Sequence, residues 1–466
     1  MRKKRVVILS ALVIVAVAAG VWVFFFWLAP RTSGPVRQEV YVWQRTWTQP
    51  VRTAVSQHAT NFAEIAVLKA EISWKDKQPQ LTRVAVDYET LAQARRPVGI
   101  ALRIGPYAGP FAPPGDFGLR GQAQRDPALA SAAQGTNNSK APSSLRSAGA
   151  VQDASVTDYI CNVAAGIVNE ARTNRVALAE LQIDFDCAES KLDGYRVWVE
   201  AIQRRVAPLP VTITALPSWL DARAFKRLAA VATNYVLQVH SVARPKNFNA
   251  PFTLCDPGTA RRAVERAGRI GVPFRVALPT YGYTLAYDVS GKFIGLSAEG
   301  PRPNWPTNAL LREVNSDAIE LGALVRDWTA DRPAAMRGVI WYRLPTIVDN
   351  FNWRWPTLGA ILAARVPQEK FSVNSRRVES GLVEISLANE GELDVSSRLA
   401  VEVRWSKARL IAGDALRDFE LADRSASAAR FQTKSQPVRV RAGDQLVLGW
   451  LRFDQDCEVR CELKKL

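Results

Sequence analysis

Histidine and cysteine are scarce in this chain of 466 residues, and their scarcity excludes several kinds of site. There are only two histidines and five cysteines, and no Cys/His spacing suggests zinc, so a histidine-rich metal site is excluded. The odd cysteine count leaves one thiol free or paired between molecules. No glycine-rich phosphate loop follows the first apolar run, which weakens a nucleotide-binding interpretation. We therefore expect neither a metal nor a cofactor.

Acidic residues are outnumbered by basic ones, and the formal net charge is +17. Most of the excess lies in the middle of the chain. A basic body of this kind suits an anionic glycan or an anionic bilayer surface, and it equally suits arginines scattered over a solvated surface. A hydrophobic content of 48% with 23% charged residues is typical of a globular protein, and the length allows more than one domain.

The first 30 residues have the organisation of a membrane anchor. Four basic residues follow Met1, and an uninterrupted apolar run extends from Val6 to Ala29. About 20 apolar residues span a bilayer, whereas the apolar region of a cleavable signal has roughly 7–15. We predict a signal anchor over residues 1–30, single-pass in the inner membrane, with a cytoplasmic N-terminus and periplasmic domains. A cleaved signal peptide is the alternative and gives the same compartment, which disfavours nucleic acid as a partner.

Apolar runs alternate with amphipathic, helix-like segments between residues 40 and 344. Continuous Val/Ile/Leu runs separated by helices indicate a parallel sheet covered by helices. Eight such runs predict an α/β fold, a (β/α)₈ TIM barrel with insertions over residues 31–367, and a doubly wound open sheet is the alternative. The runs are Val40–Trp47, Glu64–Trp74, Val98–Gly105, Ala177–Asp186, Val211–Trp219, Tyr235–Ser241, Phe274–Tyr283 and Gly338–Leu344.

Two regions depart from this alternation. Residues 106–153 are rich in Pro, Gly, Ala, Ser, Asn and Gln and have no periodicity. They predict a long, partly disordered loop, which is either a flap over a cleft or a tolerated insertion. After Pro367 the pattern changes to short alternating runs separated by turn residues. That pattern predicts an all-β sandwich domain over residues 368–466, in which no chemistry is recognisable.

The candidate chemistry lies in the stretch Leu181–Asp186, which reads Leu-Gln-Ile-Asp-Phe-Asp. In a strand, Gln182, Asp184 and Asp186 share one face, because side chains alternate with period two. Carboxylates at the end of an apolar strand are costly to bury, and paired carboxylates are the equipment of glycosidic bond chemistry. Barrel sites form at the C-terminal ends of the strands. Aromatic and hydrogen-bonding residues that suit a sugar ring stand at those ends: Trp43, Arg103, Trp219, Gln238, His240, Tyr281 and Trp341.

Five of these segments resemble, in the same chain order, signature regions of family 18 glycoside hydrolases, the chitinase family. The stretch Leu181–Asp186 is similar to the fourth-strand signature, which ends Asp-x-Asp-x-Glu. The other four are Ala101–Gly105, similar to the third strand; Gln238–His240, in place of Met-x-Tyr-Asp; Leu278–Tyr283, similar to Pro-x-Tyr-Gly; and Gly338–Trp341, similar to the eighth strand. The chain also resembles an uncharacterised bacterial domain family of glycosidase-like barrels.

The chain departs from the family signature in its carboxyl groups. With Phe185 aligned to the aromatic of the signature, Asp186 stands where the family has its catalytic Glu, and Ala179 stands at the first Asp. Aligning the carboxylates instead puts Ala188 at the acid position, with Glu189 one residue late. Asp is one methylene shorter than Glu, and a misplacement of about 1 Å can reduce a rate roughly 100-fold.

The resemblance implies retaining hydrolysis assisted by the acetamido group of the substrate. Asp186 would be the general acid, and Asp184 would orient the acetamido group and hold the proton, since two close carboxylates do not both ionise cheaply. Tyr281 would bond the acetamido carbonyl, and Trp341 would form the floor. The remaining candidates for substrate binding are Gln182, Gln238, His240, Trp43, Arg103 and Trp219.

Three functions are consistent with these patterns. The first is a membrane-anchored glycoside hydrolase acting on an extracytoplasmic polysaccharide that contains amino sugars. The second is a glycan-binding protein that has kept the barrel and lost the acid, and the third is an envelope scaffold. In a purely structural interpretation, Asp184 and Asp186 only pair with Arg103 or Arg343. Convergence of the two carboxylates with Tyr281 and Trp341 would favour the enzyme.

Overall fold

The computed structural model describes residues 30–76, 78–111, 144–241, 245–299 and 303–466, and only the backbone of residues 144–155. The predicted anchor therefore lies, apart from Pro30, outside the described residues. Within those ranges no helix is both long enough and apolar enough to cross a membrane. The chain divides into two compact units. The first comprises Met1–Arg244, Leu254–Pro279 and Asp327–Leu344; the second comprises Pro245–Thr253, Thr280–Arg326 and Pro345–Leu466.

Strands and helices alternate along the chain up to residue 344, as the sequence predicts. The strands are β1 (Arg31–Thr32), β2 (Arg37–Val42), β3 (Ile65–Lys75), β4 (Gln78–Arg83), β5 (Val98–Ile104), β6 (Leu178–Phe185), β7 (Val211–Ala215), β8 (Tyr235–Gln238), β9 (Phe274–Pro279), β10 (Gly282–Tyr287), β11 (Phe293–Ser297), β12 (Leu310–Asn315), β13 (Arg332–Pro333) and β14 (Met336–Tyr342). The helices are α1 (Gln49–His58), α2 (Tyr88–Ala94), α3 (Ser144–Thr173), α4 (Leu192–Val206), α5 (Arg223–Ala232), α6 (Pro257–Gly268), α7 (Ala318–Ala330) and α8 (Trp355–Leu362).

Eight parallel strands of the first unit form a closed barrel. Their order is β2, β3, β5, β6, β7, β8, β9 and β14, and the pairing of β14 with β2 closes the ring. Strand β4 adds an antiparallel extension to β3. The predicted barrel is confirmed, and the doubly wound alternative is wrong, because the first and last strands pair with each other instead of forming two free edges.

The helices that follow the strands bury one apolar stripe each. In α4 the buried positions recur at helical spacing and include Tyr195, Trp198 and Ile202. Asp87 and Asp256 cap α2 and α6 by accepting hydrogen bonds from the third residue beyond them. Helix α3 begins at Ser144, within the stretch 106–153 that the sequence predicts as loop. Residues 112–143 of that stretch lie outside the description.

Alternation along the barrel strands sorts the interior side chains into layers. Residues in register on neighbouring parallel strands point to the same side, so the pairings identify each layer. The lowest layer contains Glu39 and Arg275, near the N-terminal ends of their strands. The middle layer is an apolar cluster of Tyr41, Ala66, Val236, Ala277 and Ile340, against which Trp43 and Tyr342 pack from above.

The second unit contains the predicted all-β region, which is confirmed. Two four-stranded antiparallel sheets, ordered β15-β16-β23-β19 and β20-β21-β18-β24, share one core that includes Ile385, Val401 and Phe431. A separate three-stranded sheet, β11-β10-β12, belongs to the same unit. The C-terminal strands are β15 (Phe371–Glu379), β16 (Leu382–Asn389), β17 (Val395–Ser397), β18 (Leu399–Trp405), β19 (Leu410–Ala415), β20 (Phe419–Arg424), β21 (Ala428–Thr433), β22 (Val438–Val440), β23 (Gln445–Phe453) and β24 (Val459–Lys465).

Candidate functional site

Two carboxylates and one guanidinium meet at the C-terminal end of the barrel. Arg103 on β5 is in register with Asp184 on β6, so both side chains point into the barrel. Arg103 Nη2 donates to Asp186 Oδ2 at 3.1 Å, and its Nε lies 3.8 Å from Asp184 Oδ2. The structure therefore brings together three of the residues that the sequence predicts for the site.

The two aspartates have different surroundings. The Asp184 side chain is 21% exposed and accepts a hydrogen bond from Thr214 Oγ1 at 2.6 Å. Burial raises its pKa above the usual value, although the Thr214 hydrogen bond and Arg103 act in the opposite direction. The Asp186 side chain, just beyond the strand, is 45% exposed. One carboxyl group is thus disposed to keep a proton, and the other is open to a ligand.

A third carboxylate, Glu71, lies beside Arg103 and was missed by sequence reasoning. It is in register with Arg103, and its Oε1 lies 3.8 Å from Arg103 Nη1. Glu71 also accepts two hydrogen bonds from Arg45, at 2.5 and 2.9 Å. A bulge between Leu68 and Ala70 shifts the alternation of β3 by one residue and turns Glu71 inward. Uninterrupted alternation in the sequence would place it outside.

Aromatic rings line the neighbouring part of the same barrel end. The ring of Trp43 lies 5.1 Å from that of Tyr41 and 5.7 Å from that of Tyr342, in edge-on and tilted arrangements. His240 stacks on Tyr342 at 5.6 Å. Burial lowers the pKa of His240 to about 3, so its imidazole is neutral at pH 7. The rings of Trp43 and His240 therefore both lie beside the ring of Tyr342.

The two predicted glutamines lie on the inner face with their amides engaged. Tyr41 Oη donates to Gln182 Oε1 at 2.9 Å, and Gln182 Nε2 donates to Glu180. Gln182 is almost fully buried, one layer below the carboxylates. Gln238, at the end of β8, donates to the backbone oxygen of His240 at 3.2 Å. Gln182 therefore orients Tyr41 in this structure.

Two predicted tryptophans are not brought together with the carboxylates. Trp341 points outward from β14, because its neighbour Tyr342 faces the interior, and its Nε1 donates to Gln38 at 2.7 Å. Trp219, in a 3₁₀ turn after β7, packs 6.1 Å from the ring of Phe225 on α5. Both are buried. The inward aromatic of β14 is Tyr342, one residue after the predicted floor.

The predicted run Phe274–Tyr283 is divided in the structure between the two units. Tyr281 lies in the part that belongs to the second unit. Strand β9 ends at Pro279, and β10 begins at Gly282 in another sheet. The Tyr281 hydroxyl lies 3.0 Å from the hydroxyl of Tyr283. The predicted contact between Tyr281 and an acetamido carbonyl stays a prediction.

A second ionic cluster closes the N-terminal end of the barrel. Arg275 is bonded at 2.6 Å to Glu39 and at 2.6 and 2.8 Å to Glu180. Glu64 Oε1 lies 3.8 Å from Arg275, and Arg37 Nη2 donates to Glu64 Oε2 at 3.0 Å. Burial, Glu180 and Glu39 raise the pKa of Glu64 to about 8. This cluster has no sequence motif; its only signal is charged residues at the starts of apolar strands.

The arrangement at the C-terminal end can bind a polar ligand that has an apolar face, and it can hold or move one proton. Hydroxyl groups of such a ligand can donate to Asp186 and accept from Arg103. CH groups of its ring can pack on Trp43 and Tyr342. Across the part of the chain that the structure describes, no three His, Cys, Asp or Glu side chains are grouped so as to hold a metal ion.

Two family models match separate parts of this chain. A family model described as a domain of unknown function, DUF3142, matches residues 144–347, and a second, DUF8456, matches residues 372–454. A search of curated proteins finds no match.

Similar solved structures include two spore cortex-lytic enzymes and a chitinase. The chain is similar to SleL of Bacillus cereus at 10% identity, covering 72% of this chain and 75% of that one, with a TM-score of 0.46. SleL of Bacillus megaterium has 13% identity, the same coverages and the same TM-score. Chitinase ChiA74 from Bacillus thuringiensis has 9% identity, covering 92% and 100%, with a TM-score of 0.40. The predicted resemblance is confirmed as a distant one, at identities of 9% to 13%.

Proposed function

We propose that this protein is a glycoside hydrolase-like protein that binds a polysaccharide at the C-terminal end of its barrel. Asp184 and Asp186 would act there on a glycosidic bond. The observation that carries the proposal is that both carboxyl groups meet on Arg103 while one is nearly buried and the other is exposed. Acid and base roles require two carboxyl groups in different environments, and this arrangement provides them.

In this proposal Asp186 is the general acid, because it is the carboxyl group that a ligand can reach. Asp184 holds the proton between turnovers and passes it to Asp186 when a bound sugar displaces Arg103 from Asp186. Asp186 then protonates the glycosidic oxygen, the bond from that oxygen to the anomeric carbon breaks, and the leaving sugar departs as an alcohol. With an amino sugar, the acetamido oxygen would bond to the anomeric carbon as the glycosidic bond breaks. Water would then attack that carbon, the bond to the acetamido oxygen would break, and the proton of the water would return to Asp186.

Tyr342 and Trp43 would form the aromatic floor in this proposal. Their rings pack above the interior apolar layer at the same end of the barrel as the carboxylates, and a sugar ring presents CH groups that suit such surfaces. Gln238 and His240 would border the same space. Trp341 and Trp219 have no part in it, because both pack on the outer side of the strands.

Glycan binding without turnover is the second candidate, and one observation favours it. Arg103 donates a hydrogen bond to Asp186 at 3.1 Å, so a guanidinium holds an oxygen of the carboxyl group that would have to face the glycosidic bond. Asp is also shorter than the Glu of the chitinase family. If Arg103 stays in place when the ligand is bound, the cleft recognises a glycan and does not cleave it.

We also propose the location that the N-terminal residues predict. Four basic residues and a long apolar run support an anchor in the inner membrane, with the barrel and the β domain in the periplasm. Cell fractionation with protease added to spheroplasts tests this. The full chain should sediment with membranes and be digested from outside. Protection from the protease would contradict the proposed side of the membrane.

A screen of the full-length chain against envelope polysaccharides and chitin oligosaccharides tests the reaction. Release of reducing ends should fall about 100-fold or more in Asp184→Asn and Asp186→Asn, as expected for loss of acid or base assistance. Asp193→Asn is the matched control, because Asp193 is an exposed aspartate bonded by Arg227 away from the site. It should retain full activity.

The possible results separate the two functions. Turnover that both site variants lose supports the enzyme. Binding of a glycan by the wild-type chain without turnover, weakened in both variants, supports the glycan-binding protein. Wild-type activity and affinity in both variants would show that the site lies elsewhere.

A further inference from the structure

Glu71 and Arg45 extend the ionic group at the C-terminal end of the barrel beyond the residues to which a reaction is assigned. The Glu71 side chain is only 14% exposed, whereas Arg45 is 66% exposed. Their contact is bidentate, with Arg45 Nε and Nη2 each bonded to one oxygen of Glu71. A paired guanidinium and carboxylate in this geometry hold each other in a fixed orientation.

The three interior residues form one row across neighbouring strands. Glu71 on β3, Arg103 on β5 and Asp184 on β6 are in register. Arg103 lies in the middle of the row, with Glu71 on one side at 3.8 Å and Asp184 on the other at 3.8 Å. A change in the charge of Glu71 therefore acts on Asp184 both directly and through Arg103.

Charge counting shows that this group is balanced with one proton present. Arg45 and Arg103 contribute two positive charges, and Glu71, Asp184 and Asp186 contribute three negative charges if all are ionised. One proton makes the group neutral. Glu71 is engaged by Arg45 and nearly buried, and Asp186 is directly paired with Arg103. Asp184 is the favoured place for the proton. Its side chain is largely buried, and its nearest positive group, the Arg103 guanidinium, lies 3.8 Å away and does not bond it directly.

We propose that Glu71 is a positioning residue that, together with Arg45, sets how much of the Arg103 guanidinium is available to the aspartates and so keeps one proton on the Asp184–Asp186 pair. The Glu71 carboxylate attracts the Arg103 guanidinium away from the aspartates. Arg45 weakens that attraction because it neutralises the charge of Glu71. This inference rests on the proposed function for the role of the pair in catalysis. The placement of the proton does not depend on it.

Other titratable groups face Asp184 but carry no charge near neutral pH. Tyr195 Oη donates to the backbone oxygen of Ile183, and Tyr41 Oη donates to Gln182, and burial raises the pKa of both phenols well above the usual value. Burial raises the pKa of the Cys187 thiol to about 12. The balance therefore lies among the two arginines and the three carboxyl groups.

The test uses two substitutions with opposite expected effects on the same titration. Glu71→Gln removes a negative charge and releases Arg103 to the aspartates, so the proton should leave the pair about one pH unit lower. Arg45→Gln frees the Glu71 carboxylate to compete for Arg103, so the proton should leave about one unit higher. Carbon-13 carboxyl resonances of the full chain, labelled at aspartate and assigned with Asp184→Asn and Asp186→Asn, report both midpoints directly.

Controls separate positioning from a merely structural role. Arg227→Gln removes an exposed ion pair with Asp193 and should leave both midpoints unchanged. Glu71→Asp keeps the charge and should restore most of the wild-type midpoint. Shifts of the same sign in Glu71→Gln and Arg45→Gln, or no shift in either, would overturn the proposal.

The result can be distinguished from a failure of the proposed function. Opposite shifts in a chain that cleaves no glycan would leave the positioning role standing and remove the catalytic one. Glycan cleavage in a chain whose titration midpoints do not move would leave the catalytic role standing and remove the positioning role. If cleavage occurs and the midpoints move, the alkaline limb of the pH–rate profile should move with them, because activity is lost when the proton leaves the pair.

Discussion

The two ends of the barrel use the same chemical groups in opposite ways. At the N-terminal end, Arg275 is 5% exposed and is bonded to two carboxylates at 2.6 Å. At the C-terminal end, Arg103 is 35% exposed and contacts its carboxylates at 3.1 to 3.8 Å. Short contacts in a closed space fix a guanidinium, whereas longer contacts beside solvent let it exchange partners. The comparison indicates that the first cluster holds the barrel together and the second is available to a ligand.

Solvent access rather than residue type separates the two clusters. A buried charge has to be paired, and breaking such a pair is costly because the remaining charge has no water. A half-exposed pair is screened and contributes little to stability. The same pair can therefore change partners at small cost, which is what a site that moves a proton needs.

The largest effect should come from removing each guanidinium in turn. Arg275→Met leaves the carboxyl groups of Glu39, Glu64 and Glu180 together without their buried counter-ion, and the half-exposed Arg37 remains beside two of them. The free energy of unfolding should fall by about 3–5 kcal/mol. Arg103→Met should lower it by about 1 kcal/mol or less, because solvent reaches Asp186. Urea denaturation of the full chain measures both, and equal losses would contradict the distinction between the two ends.

A pH series sharpens the comparison at the N-terminal end. The pKa of Glu64 is raised from 4.5 to about 8, chiefly by burial, so between these values the folded chain keeps a proton that the unfolded chain has lost. The free energy of unfolding should therefore fall as pH rises through that window, by on the order of 1 kcal/mol per unit. In Glu64→Gln this decline should disappear. Curves for variant and wild type that run parallel would refute the assignment.

The smallest effect concerns the two glycines at either end of β5. A Cβ at Gly99 would lie 3.3 Å from both Glu180 Cγ and Glu64 Oε1, whereas at Gly105 the nearest atom, the Ile72 oxygen, lies at 3.4 Å. Gly99→Ala should lower the free energy of unfolding by about 1–3 kcal/mol, because the closed cluster has to shift. Gly105→Ala, the matched control, should change it little. Similar melting temperatures for the two variants would contradict the difference in packing.

The barrel could be predicted from sequence because its signal is repeated and local. Eight apolar runs separated by helices leave few arrangements, and all eight runs contain a barrel strand. The limits of the runs were less accurate. The predicted strands Val211–Trp219 and Phe274–Tyr283 end early, at Ala215 and Pro279, because the backbone leaves the barrel there and apolar residues continue.

The site could be predicted only where alternation is regular. Arg103 and Asp184 follow the period of two from Gly99 and Glu180 onward, and the structure pairs them. The direction of the Trp341 side chain depends on the alternation along β14, whose first residues are irregularly paired with β9. The inward side chain is that of Tyr342. The pair of Arg45, which follows β2, and Glu71 on β3 could not be predicted, because the bulge that turns Glu71 inward is not visible in the sequence.

The bulge in β3 has a consequence for how this barrel tolerates insertion and deletion. Lys69, the extra residue, is buried and turns away from the interior, donating to the Val84 oxygen at 2.8 Å and pairing with Glu170 of α3 at 2.6 Å. The bulge at this one extra residue thus determines which side chains in the rest of β3 face the barrel interior. Deleting Lys69 would leave a regularly alternating strand in which Ala70 follows Leu68 and Glu71 still faces Arg103. Insertion of one further residue between Leu68 and Glu71 would instead turn Glu71 to the helix side, and so disassemble the ionic group without altering any of its members.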